Sequence, residues 1–147
     1  MKIIITEDII DPWSLIKNYE TEYLSTNSKF GATNIFIGTM RDINESLAIK
    51  EMFLEHYPGM TEKMLNATVN KAIKDYQLFD ALVIHRVGSI HPDDTIVVVC
   101  VWSSHRKEAF ESCRYIMEEL KSNAPFWKQE TLTNNKKRWV RHNSKGY

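Results

Sequence analysis

Residues 81–102, "ALVIHRVGSIHPDDTIVVVCVW", decide how the rest of the chain must fold. Two short runs rich in Val and Ile flank the turn-forming "HPDD". The pattern predicts two strands joined by a hairpin or a bulged turn. The second run, "TIVVVCVW" (95–102), is apolar on both faces. A strand of that kind belongs at the centre of a sheet, with covering layers on either side.

The flanking sequence supplies those layers. Downstream, "SSHRKEAFESCRYIMEELK" (103–121) predicts a helix with Phe110, Cys113, Met117 and Leu120 on its inner face and Ala109 and Ile116 beside them. Asn123, Ala124 and Pro125 end it, because proline lacks the amide hydrogen and restricts the residue before it. "FWKQETL" (126–132) reads as a last strand, and "NNKKRWVRHN" (134–143) as a turn leading into a tail.

Upstream, Ile3 and Ile5 fit a short edge strand. Asp11 and Pro12 form a helix start, followed by Trp13, Ile16, Tyr19 and Tyr23 at helical spacing to about Leu24. "STNSK" (25–29) is a polar loop, "FGATNIFIGTM" (30–40) an alternating strand and "RDINES" (41–46) a polar turn or mobile loop. "IKEMFLEHY" (49–57) is a strand with Met52 and Leu54 facing one way, Phe53 and Tyr57 the other. After Pro58 and Gly59, the stripe Leu65, Val69, Ala72, Ile73 and Tyr76 marks a helix to about Asp75. The order βα, ββα, ββ, αβ predicts an α+β or mixed α/β layered fold in one domain.

Nineteen basic and nineteen acidic side chains cancel over 147 residues. That balance argues against a protein whose main task is neutralising nucleic-acid phosphate, though it leaves room for a local basic pocket. Cys100 and Cys113 lack CxxC spacing and read as buried thiols of a cytosolic protein. No apolar run is long enough to span a bilayer, and "MKIIITEDII" reads as an edge strand rather than a signal peptide. The chain is expected in the cytoplasm.

The most informative conflict lies in "MEELKSNAPFWKQE" (117–130). Lys121 alone reads as a cation favoured at a helix C-terminus, and Lys128 alone as a strand residue facing water. Yet Pro125, Phe126 and Trp127 between them ask for burial. Brought together in one half-enclosed pocket, two ammonium groups lower each other's pKa, so that one can exchange protons near neutral pH.

A second candidate is the "SSHR" turn before the 103–121 helix. Free amides at a helix start favour anions, and His105 and Arg106 add donors. The residues leave this open against a plain serine cap with solvent-facing His105 and Arg106. Arg41, where a strand ends, suits bidentate phosphate binding or a simple exposed loop position. His85 and His91 lack partners at metal-ligand spacing, so no metal is expected; His85 reads as a half-buried sheet residue with Arg86 facing the other way.

The blocks "GATNIFIGTMRDIN", "LEHYPGMTEKML", "VIHRVGSI", "SSHRKEAFESCRYIMEELK" and "APFWKQE" followed by "RWV" occur in that order. Together, from about Phe30 to Val140, they resemble the catalytic (large) subunit of molybdopterin synthase. The resemblance implies an α/β hammerhead fold and a central homodimer. Each subunit would bind a small ubiquitin-like sulfur carrier, giving a heterotetramer. It also implies an activity without a resident cofactor. The carrier's C-terminal Gly-Gly thiocarboxylate enters a pocket and donates sulfur to cyclic pyranopterin monophosphate, and two transfers build the dithiolene of molybdopterin.

Carried over by position, the resemblance implies functional roles for Lys121 and Lys128. Substrate contacts would come from Arg41, His105, Arg106, Gln129 and Glu130, with Thr39 and Met40 at the strand end. Two features depart from the family: Thr39 stands where a basic residue is common, and "DINESLA" (42–48) lacks the glycine often found in that loop. Three other readings compete: a subunit that binds the carrier without catalysing, a nucleic-acid module around the basic tract near Trp139, and a transferase for another phosphorylated heterocycle.

Overall fold

Among the described residues, 1–25 and 29–140, the computed structural model arranges nine strands in two sheets with three helices. The polar loop expected at 25–29 lies partly, and the tail 141–147 wholly, outside the described residues. The first sheet runs in the order β1 (Lys2–Thr6), β5 (Asp80–Arg86), β7 (Thr95–Ser103), β2 (Ala32–Thr39). Only β1 and β5 pair in parallel; the other pairings are antiparallel.

Alternation along β7 explains why it is apolar on both faces. Val97, Val99 and Val101 meet α2 (Met60–Asp75) and α3 (Arg106–Asn123), joining Leu65, Val69, Cys113 and Ile116 in one core. Val98, Cys100 and Trp102 meet α1 (Pro12–Tyr19) and the wider turn Glu20–Leu24 in a second core with Ile16, Tyr19 and Leu24. Each fully buried branched side chain contributes about 1.5–3 kcal/mol. Trp102 meets its polar requirement by donating Nε1–H to Glu20 Oε1 at 3.0 Å. Asp11 caps α1 as expected, accepting from the Ser14 amide at 3.3 Å, with Pro12 in the first turn.

The second sheet has the order β3 (Ile43–Asn44), β4 (Leu47–His56), β8 (Phe126–Leu132), β9 (Lys137–Val140), with β6 (Gly88–Ile90) also pairing β4. Met52 and Leu54 point into a third core with Met40, Ile49, Val87 and Ile90. This sheet corrects the sequence reading at 81–90. The run is not one strand leading through a hairpin into β7. It breaks after Arg86, where Gly88 takes φ +77°, a left-handed conformation that glycine adopts without a Cβ clash. The chain then crosses to the second sheet.

One further expectation narrows to its turn alternative and two change. "RDINES" is a tight β3–β4 hairpin, with Asn44 opposite Leu47 and both Glu45 and Ser46 at positive φ. Residues 137–140 form strand β9 beside β8 rather than the start of a tail. Phe110 is exposed because the buried stripe of α3 centres on Ala109, Cys113, Ile116 and Leu120, and Phe110 lies about 100° around the helix from Ala109.

Candidate active site

Lys121 ends the last full turn of α3, against the first sheet. Lys128 lies in β8, in the second sheet. The stop at Pro125 reverses the chain between them, and β8 pairs with β4 so that Lys128 stands opposite Leu54. Both lysines line a cavity of about 290 Å³, together with Thr39, Met40, Arg41, Asn44 and Glu130. They also line a second cavity of about 220 Å³, whose walls are Phe36, Gly38, Leu54, His85, Leu120 and Phe126. The pair thus stands where a polar chamber meets a largely apolar one.

The electrostatics follow from that position. Burial lowers the pKa of Lys128 to about 8, helped by the positive charge and hydrogen bonding of Lys121; Glu130 opposes the drop. Lys121 is more exposed, yet burial is also the main reason its pKa falls. Its hydrogen bond with Lys128 works the other way, while the Arg41 guanidinium lowers it further. At neutral pH a fraction of Lys128 is a neutral amine beside a charged neighbour, the arrangement needed to take up and return a proton.

Glu130 is buried and held on both oxygens. Asn44 Nδ2 donates to Oε1 at 2.6 Å and Arg138 Nε to Oε2 at 2.9 Å. Arg138 also pairs with Glu45 at 2.9 Å, so β9 and β8 together clasp the β3–β4 hairpin that walls the polar chamber. His85 is buried rather than half-buried, stacked on Phe126 with ring centroids 4.1 Å apart. Its Nδ1 lies 2.8 Å from the Arg86 carbonyl, so Nδ1 carries the hydrogen. Burial holds its pKa down at about 4, and the nearby lysine charges add to this.

Of the residues singled out from sequence, Thr39, Met40, Arg41, Lys121, Lys128 and Glu130 line the polar chamber. Gln129 does not, because side chains alternate along a strand; it pairs in register with Phe53 and Trp139. His105 and Arg106 also lie elsewhere. His105, not a serine, occupies the cap position of α3, without a side-chain capping bond. Arg106 opens the helix, about 22 Å from Lys121 at 1.5 Å per residue. Sequence reasoning missed His85, Phe126, Asn44 and Arg138. Only the stacking of Phe126 beside the proline stop had a visible cue. Among the described residues no group of three or more His, Cys, Asp or Glu is placed to hold a metal.

Residues 5–123 match the family described as MoaE protein. The chain belongs to that family. Among curated members, the molybdopterin synthase catalytic subunit of Ralstonia nicotianae is 56% identical over 112 residues, covering 76% of this chain. That alignment spans only 63% of the Ralstonia protein's own length. The Haemophilus influenzae protein of the same name is 44% identical, over 84% of this chain and 82% of its own.

Solved structures agree in fold. A molybdopterin biosynthesis MoaE protein from Burkholderia ambifaria superposes with a TM-score of 0.79 at 38% identity, covering 99% of this chain and 92% of that one. A structure titled as a protein–protein complex of subunits 1 and 2 of molybdopterin-converting factor from Helicobacter pylori has a TM-score of 0.79 at 24% identity. It covers 97% of this chain and 92% of that one and shares the fold. Among the described residues no helix is long and apolar enough to cross a membrane.

Proposed function

We propose that this MoaE-family chain is a molybdopterin synthase catalytic subunit, a sulfurtransferase of molybdenum cofactor biosynthesis working in the cytoplasm as one domain. The observation that carries the reading is the pair Lys121 and Lys128, with depressed pKa values, sharing a chamber with Arg41. Both reactants are anions: a thiocarboxylate on a carrier tail and a cyclic phosphate on a pterin. Cations in a half-dry cavity attract them more strongly than the same charges in bulk water.

In this reading Arg41 binds the cyclic phosphate in the polar chamber, with Thr39 and the Met40 backbone beside it. The apolar chamber lined by Phe36, Leu54 and Phe126 receives the carrier's extended Gly-Gly tail. Its sulfur then reaches the pterin at the partition where the lysines stand. The thiocarboxylate sulfur bonds to a side-chain carbon of the pterin as a carbon–oxygen bond of the cyclic phosphate opens, with Lys121 as ammonium steadying the charge on the departing oxygen. Water then cleaves the acyl–sulfur bond, Lys128 as a partly neutral amine taking the proton of that water. This leaves sulfur on the pterin and an ordinary carboxylate on the carrier. Glu130, fixed by Asn44 and Arg138, keeps Lys128 from losing its proton entirely. The nucleophile arrives with the partner, so no cysteine of this chain takes part. Cys100 and Cys113 fit that role poorly, since burial pushes both thiols well above their ordinary pKa.

His105 and Arg106 cannot reach this chamber along their own helix. In this reading, any contact they make with the phosphate comes from a second copy in the homodimer.

Purified chain mixed with thiocarboxylated carrier and the pterin precursor is expected to yield dithiolene product. Lys121→Ala and Lys128→Ala, with folding verified by circular dichroism, are each expected to lose at least about a hundredfold in rate. Near-normal turnover in both variants overturns the assignment. Carrier binding without turnover in the unmodified chain favours an inactive carrier-binding subunit.

A further inference from the structure

We propose that the ion pair between buried Arg86 and partly exposed Asp94 is a positioning element for Arg41, fixing the turn that sets where the Arg41 guanidinium enters the polar chamber. Arg86 is the last residue of β5, and its side chain is 7% exposed. Its Nη1 lies 2.8 Å from Asp94 Oδ2, and its Nη2 donates to the Ser89 carbonyl at 3.1 Å. The same Asp94 oxygen accepts the His91 amide at 2.9 Å. One carboxylate oxygen thus closes the 91–94 turn from inside.

That turn grips the strand end that carries Arg41. The Met40 amide donates to the Asp94 carbonyl at 2.9 Å, and the Asp93 amide donates to the Met40 carbonyl at 3.0 Å. Both main-chain groups of Met40 are therefore committed to the turn. This happens just past the bulge between Gly38 and Thr39, where regular pairing with β7 is interrupted. With Met40 buried against Ile49, Met52 and Ile90, the next residue has one exit direction, and it is Arg41.

Stability alone does not account for this arrangement. Arg86 Nε and Nη1 are both buried without a well-directed hydrogen bond among the described residues, so the 2.8 Å approach of Nη1 to Asp94 is an ionic contact. An ion pair with a buried partner is often no more stable than an apolar replacement of similar volume. Asp93 takes φ +72°, a left-handed turn conformation that aspartate tolerates better than most residues other than glycine. Position, rather than stability, is what the pair supplies.

The inference rests on Arg41 being the phosphate-binding group, and inorganic phosphate tests it without requiring turnover. Calorimetric titration compares the unmodified chain with Arg86→Met, Arg41→Ala and the double variant. Arg86→Met is expected to weaken phosphate binding about tenfold, and to add nothing once Arg41 is gone, as coupled neighbours do. Arg86→Lys recovers part of the loss. Where Arg86→Met folds poorly, the near-isosteric Asp94→Asn carries the same expectation.

Steady-state sulfur transfer adds a split that general loosening of the fold would not give: a raised KM for the cyclic phosphate with kcat within about twofold. Unchanged phosphate affinity, or losses that multiply in the double variant, overturn the proposal. Arg86-coupled phosphate binding in a chain that transfers no sulfur overturns the functional reading and leaves the proposal standing.

Discussion

Lys128→Met keeps the length of the side chain and removes its charge. In the native fold, burial and the neighbouring Lys121 bring the Lys128 pKa from the ordinary 10.5 to about 8. At about 1.4 kcal/mol for each tenfold change in proton affinity, holding the ammonium at neutral pH costs about 3 kcal/mol as an upper bound. Partial exposure and screening halve that to roughly 1.5 kcal/mol. The methionine variant is therefore expected to be the more stable protein at pH 7, melting about 3–6 °C higher for a chain of this size.

The pH dependence has a definite sign. The native pKa lies below the unfolded value, so the unfolded chain binds this proton more tightly. The penalty is complete below about pH 8 and fades as the pH rises from there toward 10.5. The advantage of Lys128→Met is thus largest at pH 7 and mostly gone by pH 10. Urea unfolding at both pH values measures it, and the same variant is expected to lose sulfur transfer. A variant less stable than the parent at pH 7, or one whose advantage persists undiminished at pH 10, refutes the picture of a dehydrated, repelled ammonium.

Three more outcomes follow from the geometry. His85 has a native pKa of about 4, below its unfolded value, so its contribution to stability is lost as the pH falls from 6.5 through 4. His85→Phe, which keeps the ring on Phe126, is expected to be less acid-sensitive by roughly 2 kcal/mol between pH 7 and 4.5, and identical acid melting curves would contradict this. Arg138→Met leaves Glu130 buried with Asn44 alone and is expected to cost about 1–3 kcal/mol in chemical unfolding; a neutral variant means the clasp does not hold the hairpin. Ser46→Gly relieves a positive-φ position in a two-residue hairpin turn and is expected to raise stability by about 0.5–1 kcal/mol in thermal melts, with no gain counting against the strain.

The parts of the fold that were legible came from local rules. A continuous Val- and Ile-rich run located β7 because its two faces meet two different cores, and the proline stop marked out both lysines because proline cannot continue the α3 hydrogen-bond ladder and so ends the helix between them. The polar chamber was legible at Arg41, Lys121 and Lys128 through chemistry as well as family resemblance, and at Glu130 through the resemblance alone. Other parts depend on distance, which residue patterns do not carry. His105 and Arg106 sit beside each other in sequence and suit an anion, yet a helix of fixed rise holds them far from Lys121. Phe110 looked internal because a stripe drawn at every third or fourth residue has soft edges, and only contact with β2 and β7 fixes its centre. Strand β9 was hidden because "KKRW" has the polarity of a tail and becomes a strand only by pairing with β8 and anchoring Arg138 on Glu130.

Lys121 belongs to the helix over one sheet and Lys128 to a strand of the other, so their amines straddle the seam of the molecule. An anion drawn between them acts as a rivet across that seam, relieving the repulsion that otherwise pushes the two layers apart. By linkage, an anion bound across the seam stabilises the folded protein in proportion to how tightly it is held, so occupancy of the site and stability of the scaffold rise together.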